Sequence, residues 1–143
     1  MNKFAVLALL ATPLWVFAND YEKQIDDRQA AFSHIEQELD SAKRLINGSK
    51  TDWVELKQHS ELLKQYGLVL NDSFPAGSHT GSKAKEKIWD SPGKFDRLLR
   101  QMTMSFSDLE KASQRRDPTM ANDAIESANS TCRNCHRSYR SRW

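Results

Sequence analysis

The most specific chemistry in the chain sits in five consecutive residues, Cys132-Arg133-Asn134-Cys135-His136. They hold the sequence's two cysteines, spaced i, i+3, with a histidine directly after. C-x-x-C-H is the attachment pattern of c-type haem. Haem offers two vinyl groups on neighbouring pyrroles, and each accepts one thiol as a thioether. Residues three apart share a helix face, so Cys132 and Cys135 can hold one edge of the ring. The His136 imidazole can then reach the iron as an axial ligand. Other uses of a cysteine pair fit less well. A redox C-x-x-C expects a βαβ setting, and a zinc site needs a second ligand pair. A disulfide across so short a loop constrains the unfolded chain little. The expected cofactor is one covalently bound haem c per chain.

Helices must position these groups. From Asp20 to Ile46 the apolar residues Tyr21, Ile25, Phe32, Ile35, Leu39, Ala42 and Ile46 recur at helical spacing, with one gap of seven. Asn47-Gly48 ends that helix, and Thr51 or Asp52 can cap a second carrying Trp53, Leu56, Leu63, Tyr66 and Leu70. Asn71 to Asp90, with Pro75, Gly77 and Gly81, reads as a long loop pinned by Phe74, Ile88 and Trp89. Ser91-Pro92 and Asp117-Pro118 start the third and fourth helices. The third buries Phe95, Leu98, Leu99, Met102, Phe106 and Leu109. The fourth buries Ala121, Ile125, Ala128, Cys132, Cys135 and Tyr139. The expected fold is all-α, an antiparallel four-helix bundle with its long loop between helices two and three.

The 143 residues are enough for one domain. Lys3, the apolar run Phe4–Ala11 and the small-residue ending Val16-Phe17-Ala18 have the order of a secretory signal peptide. Residues 1–18 are expected to be cleaved, leaving 19–143 as the bundle domain; an uncleaved anchor is the alternative. The apolar run is short for a membrane span, which needs about 20 residues. A formal net charge of +2 and no basic stripe with interleaved aromatics speak against a nucleic-acid partner. Arg137, Arg140 and Arg142 form a local cluster at the end of the chain.

Arg28 fills the gap in the first apolar stripe. A permanent charge there is costly unless paired. Its partner is either a haem propionate, in two-pronged geometry, or water at a bundle end reached by snorkelling. Phe32, one turn on, lies on the same face, either as ordinary core or over the iron opposite His136. In the second case the sixth coordination position faces an apolar ring with no hydrogen-bond donor, which admits NO or CO and disfavours stable O₂. Met102 could ligate iron but also suits packing; His34 is off the seam, His59 is mid-helix and His79 is in the loop. With no acid–base group on that face, enzymatic chemistry is not expected.

Together these residues resemble the cytochrome c prime family, class II c-type cytochromes. Cys132-Arg133-Asn134-Cys135-His136-Arg137-Ser138-Tyr139-Arg140 is similar to the family's C-x-x-C-H-x-x-Y-R ending, and Arg28-Gln29-Ala30-Ala31-Phe32 to its R-Q-x-x-[LMF] segment. Ile88-Trp89 before the third helix is a further match. The resemblance implies that Arg28 contacts a propionate, that Phe32 is the distal residue and that Arg140 lies near the proximal face. Low-spin relatives ligate iron with a distal methionine, so Phe32 implies five-coordinate, high-spin iron. The resemblance also implies a periplasmic homodimer formed through the first two helices that binds NO and CO. A six-coordinate electron carrier with an unidentified redox partner is the alternative. Glu36-Gln37-Glu38 stands where the family often has a glycine, a departure that touches the dimer contact.

Overall fold

The computed structural model describes residues 21–142. The expected leader, residues 1–18, and its cleavage point lie outside the described residues. Four long helices form the bundle: α1 (Glu22–Leu45), α2 (Trp53–Val69), α4 (Pro92–Arg115) and α5 (Pro118–Tyr139), with a single turn, α3 (Lys87–Asp90), before α4.

Local chemistry explains where these helices begin. The Asp52 carboxylate accepts from the backbone N–H groups of Val54 and Glu55, capping α2. Thr51, the other candidate, accepts instead from the Asn47 N–H and donates to the Gly48 carbonyl. It thereby locks the turn that Gly48 makes at φ +51°. Asp117 caps α5 through the N–H groups of Thr119 and Met120, with Pro118 in the first turn. Ser91 precedes Pro92 but makes no side-chain cap bond. The α4–α5 corner turns at Arg116, a non-glycine residue in the left-handed region at φ 54°.

The core gathers Ile35, Leu39 and Ala42 of α1 with Leu56 and Leu63 of α2, Met102, Phe106 and Leu109 of α4, and Ala121, Ile125 and Ala128 of α5. Helix α1 packs on α2, α2 on α4 and α4 on α5, while α1 and α5 meet only briefly. The ring of helices is thus open along one seam, which shifts the expected burial there. On α1, Ala31 is buried and Phe32 is half-buried; Tyr21, just before the helix, is exposed. On α5, Thr131 is buried and the two cysteines are half-buried: each packs on a core cluster and also lines the gap.

The expected loop is more ordered than its composition suggested. Its end forms α3, the Trp89 indole N–H donates to the Phe74 carbonyl at 3.1 Å, and Ile88 is buried. Ala84 forms an isolated antiparallel bridge with Arg140, just past the end of α5. Lys85 N–H donates to the Tyr139 carbonyl (2.9 Å) and Ser141 N–H to the Lys83 carbonyl (2.8 Å).

Gly67 is where α2 and α4 approach closely. A Cβ there would sit 2.9 Å from the Thr103 methyl group, whose side chain is held by a hydroxyl bond to the Arg100 carbonyl. Gly67→Ala gains about 1 kcal/mol of helix propensity against an overpacking cost of about 1–3 kcal/mol. It should lower the melting temperature. Thr103→Ser should relieve the loss in the double variant, with a coupling on the order of 1 kcal/mol; additive effects would contradict the contact.

Candidate functional site

A cavity of about 620 Å³ occupies the open seam, well within the usual range for ligand sites of about 300–1,000 Å³. Helix α5 supplies Cys132, Cys135, His136 and Tyr139, and α1 supplies Arg28, Phe32 and Glu36. Phe74, Ser82 and Lys83 of the loop and Phe95 of α4 close its other sides. A recess of about 20 Å³ adjoins it, walled by Phe32, Leu98, Leu99, Met102 and Thr131 and bordered by the cysteines and His136.

The six site residues expected from sequence, Arg28, Phe32, Cys132, Cys135, His136 and Arg140, all line this cavity. Both cysteines are free thiols on consecutive turns of α5. Burial pushes the Cys135 thiol up to about 11, with the neighbouring Cys132 adding to the effect. Burial also raises Cys132. Both are therefore neutral thiols at physiological pH. His136 is solvent-accessible at the cavity edge. Its pKa is lowered by burial and by the Arg140 charge, against an opposing pull from Glu36, so the neutral imidazole needed for metal ligation is favoured. The remaining described histidines are elsewhere: His34 stacks on Tyr66, His59 bonds to Glu38, and His79 pairs with Glu86. None of the three lines the cavity.

Arg28 is 3% exposed. Its Nη1 donates to the Ser73 carbonyl (3.0 Å) and Ser78 Oγ (2.8 Å), and its Nη2 to the Ser78 carbonyl (2.5 Å) and Ser82 Oγ (2.7 Å). The guanidinium also lies 4.8 Å above the Phe74 ring centroid. It therefore does not snorkel to a bundle end; it ties the loop to α1. Its charge is another matter, since none of the ion pairs among the described residues includes it. A buried cation without a counter-charge is costly, so the cavity it lines favours an anion.

Three features escaped the sequence reading. Ser73, Ser78 and Ser82 look like ordinary loop serines until the fold brings them to Arg28. Glu36, noted only as a departure at a packing position, faces the cavity, and its charge reaches both Cys132 and His136. Tyr139 falls on the α5 stripe and in the family-like ending, but neither signals that its hydroxyl is buried with no hydrogen-bond partner among the described residues.

Residues 23–140 match the family described as Cytochrome C'. The chain belongs to the cytochrome c' family. Solved structures with the same fold include cytochrome c prime from Shewanella frigidimarina, at 23% identity and a TM-score of 0.78, covering 86% of this chain and 98% of that one. A ferrous variant of the Alcaligenes xylosoxidans protein with bound NO is 20% identical, with a TM-score of 0.77 and coverage of 85% and 96%. A nitric oxide complex of another mutant from that organism is 21% identical, with a TM-score of 0.78 and the same coverage. No curated protein matches by sequence. The cytochrome c' family implies a covalently bound c-type haem. The residues present fit that group: two thiols and a histidine on one helix edge, a cavity of ligand size, an unbalanced buried cation and an orphaned hydroxyl.

Arg28→Ala should free the loop. Each hydrogen bond to a charged group contributes about 1.5–3 kcal/mol, so amides in residues 73–82 should exchange at least about tenfold faster, with the α2–α4 core unchanged. Unaltered loop exchange would contradict the tie.

Proposed function

We propose that the chain is a periplasmic haem protein that binds NO, and also CO, for NO binding or scavenging rather than catalysis. In this reading one haem is held by thioethers from Cys132 and Cys135, and His136 is its sole protein ligand. The observation that carries the proposal is the cavity itself, where two free thiols, the lining's one histidine and an unbalanced guanidinium converge. Haem supplies an iron with one coordination position open to a diatomic gas.

The chain's own groups decide what enters. Phe32 lines both the cavity and the adjoining recess, and Leu98, Leu99 and Met102 complete an apolar wall. The Thr131 hydroxyl in that recess already donates to the Ser127 carbonyl at 2.9 Å. A wall without a free donor suits NO and CO better than O₂, which needs a hydrogen bond beside it. The Arg28 charge balances a propionate, while the neutral state of His136 favours axial ligation. Relatives of the same fold solved with NO support the choice of ligand. A homodimer packed through α1 and α2 belongs to the same reading.

Absorption spectra of the ferric and ferrous holoprotein, before and after adding NO, test the proposal. Broad high-spin spectra that change on NO addition are expected. A sharp visible α-band in the reduced protein, with no response to NO, would contradict it and point to a six-coordinate electron carrier, with Met102 as the first ligand to examine.

A further inference from the structure

Tyr139 is 3% exposed, lines the cavity, and carries a hydroxyl with no partner among the described residues. An unpaired buried polar group is costly, and such groups in folded proteins are nearly always satisfied. The other orphan, Gln24 Oε1, is an acceptor and does not line the cavity.

The position of Tyr139 is over-determined. Its carbonyl accepts from Lys85, fixing this end of α5 to the loop. Its ring stands edge-on to Phe95 at 5.3 Å, Phe95 edge-on to Phe74 at 4.8 Å, and Phe74 lies under the Arg28 guanidinium. Three aromatic rings therefore connect the orphaned hydroxyl to the unbalanced cation, and both residues line the same cavity. The four bonds from Arg28 to the serines use both of its terminal nitrogens. The Nε hydrogen and the positive charge are left for another acceptor. A hydroxyl that needs an acceptor and a guanidinium that needs an anion are both satisfied by one kind of group, a carboxylate entering from the cavity.

Resting on the haem reading above, we infer that Tyr139 donates its phenolic hydrogen to a haem propionate whose charge Arg28 balances. Tyr139 is then a positioning residue. The thioethers fix one edge of the ring, and the phenol with the guanidinium fixes the carboxylate end, so the ring cannot pivot about its attached edge. The loop takes part indirectly: Ser78 and Ser82 hold Arg28, and Lys85 holds the Tyr139 backbone.

Tyr139→Phe removes only the hydroxyl and keeps the ring that packs on Phe95, so the variant tests the bond and not the core. Ultraviolet resonance Raman difference spectra of the ferric holoprotein, wild type minus Tyr139→Phe, should show a tyrosine acting as a hydrogen-bond donor. The propionate bending band under Soret excitation should shift in the variant, while the attached haem mass stays the same. A donating phenol with an unmoved propionate band would mean the partner is a buried water, and would overturn the proposal. So would a phenol that donates to nothing. A wild-type chain lacking attached haem is a separate failure, read by mass before any Raman band, and it would remove the haem reading together with this bond.

Discussion

Arg28 sits 97% out of solvent on a helix face that is otherwise apolar, and no carboxylate of the described chain pairs with it. Hydrogen bonds from serine hydroxyls and carbonyls solvate the guanidinium but leave its charge unbalanced. The bundle around it is built to tolerate that state only if something negative fills the cavity. The open seam between α1 and α5, the loop laid over it and the cysteines facing into it are consistent with this single requirement. A bundle of this size closed on all sides would have no place for the charge.

The two ends of the cavity differ in kind. At the α5 edge lie two neutral thiols and an imidazole that burial and the Arg140 charge keep neutral, groups suited to covalent attachment and metal ligation. At the loop end lie a cation and a phenol, groups suited to a carboxylate. Apolar side chains of Phe32, Ile35, Leu39, Phe74, Ile88 and Phe95 line the same cavity. A flat ligand with a reactive edge, an apolar body and a carboxylate edge matches these three kinds of surface, and haem has all three.

Much of this was legible in the sequence because it is local. Asp117-Pro118 announces a helix start through side-chain capping and a fixed φ, and the structure places α5 there. The i, i+3, i+4 spacing of Cys132, Cys135 and His136 depends only on helix geometry. What was hidden is non-local. The partners of Arg28 lie 45 to 54 residues away in a loop whose path no periodicity encodes. Gly67 reads as a flaw in a helix until Thr103 is seen against it. The apolar stripe puts the cysteines on the inward face, and both pack on core clusters. A hydrophobic pattern does not record that one seam is left open, so the thiols are only half-buried and also line the gap, while Thr131 beside them is fully buried. Tyr139 was hidden for a related reason: burial was foreseen, but an unpaired hydroxyl is a property of its neighbours.

The attachment of a ring to α5 is open to direct measurement by mass spectrometry of the protein expressed with its export and haem-ligation machinery. The intact chain should carry the added mass of one haem, and digestion should place that mass on the fragment containing both Cys132 and Cys135. A polypeptide at its unmodified mass, with both thiols free to alkylate after unfolding, would contradict the covalent haem and with it the function assigned to the cavity.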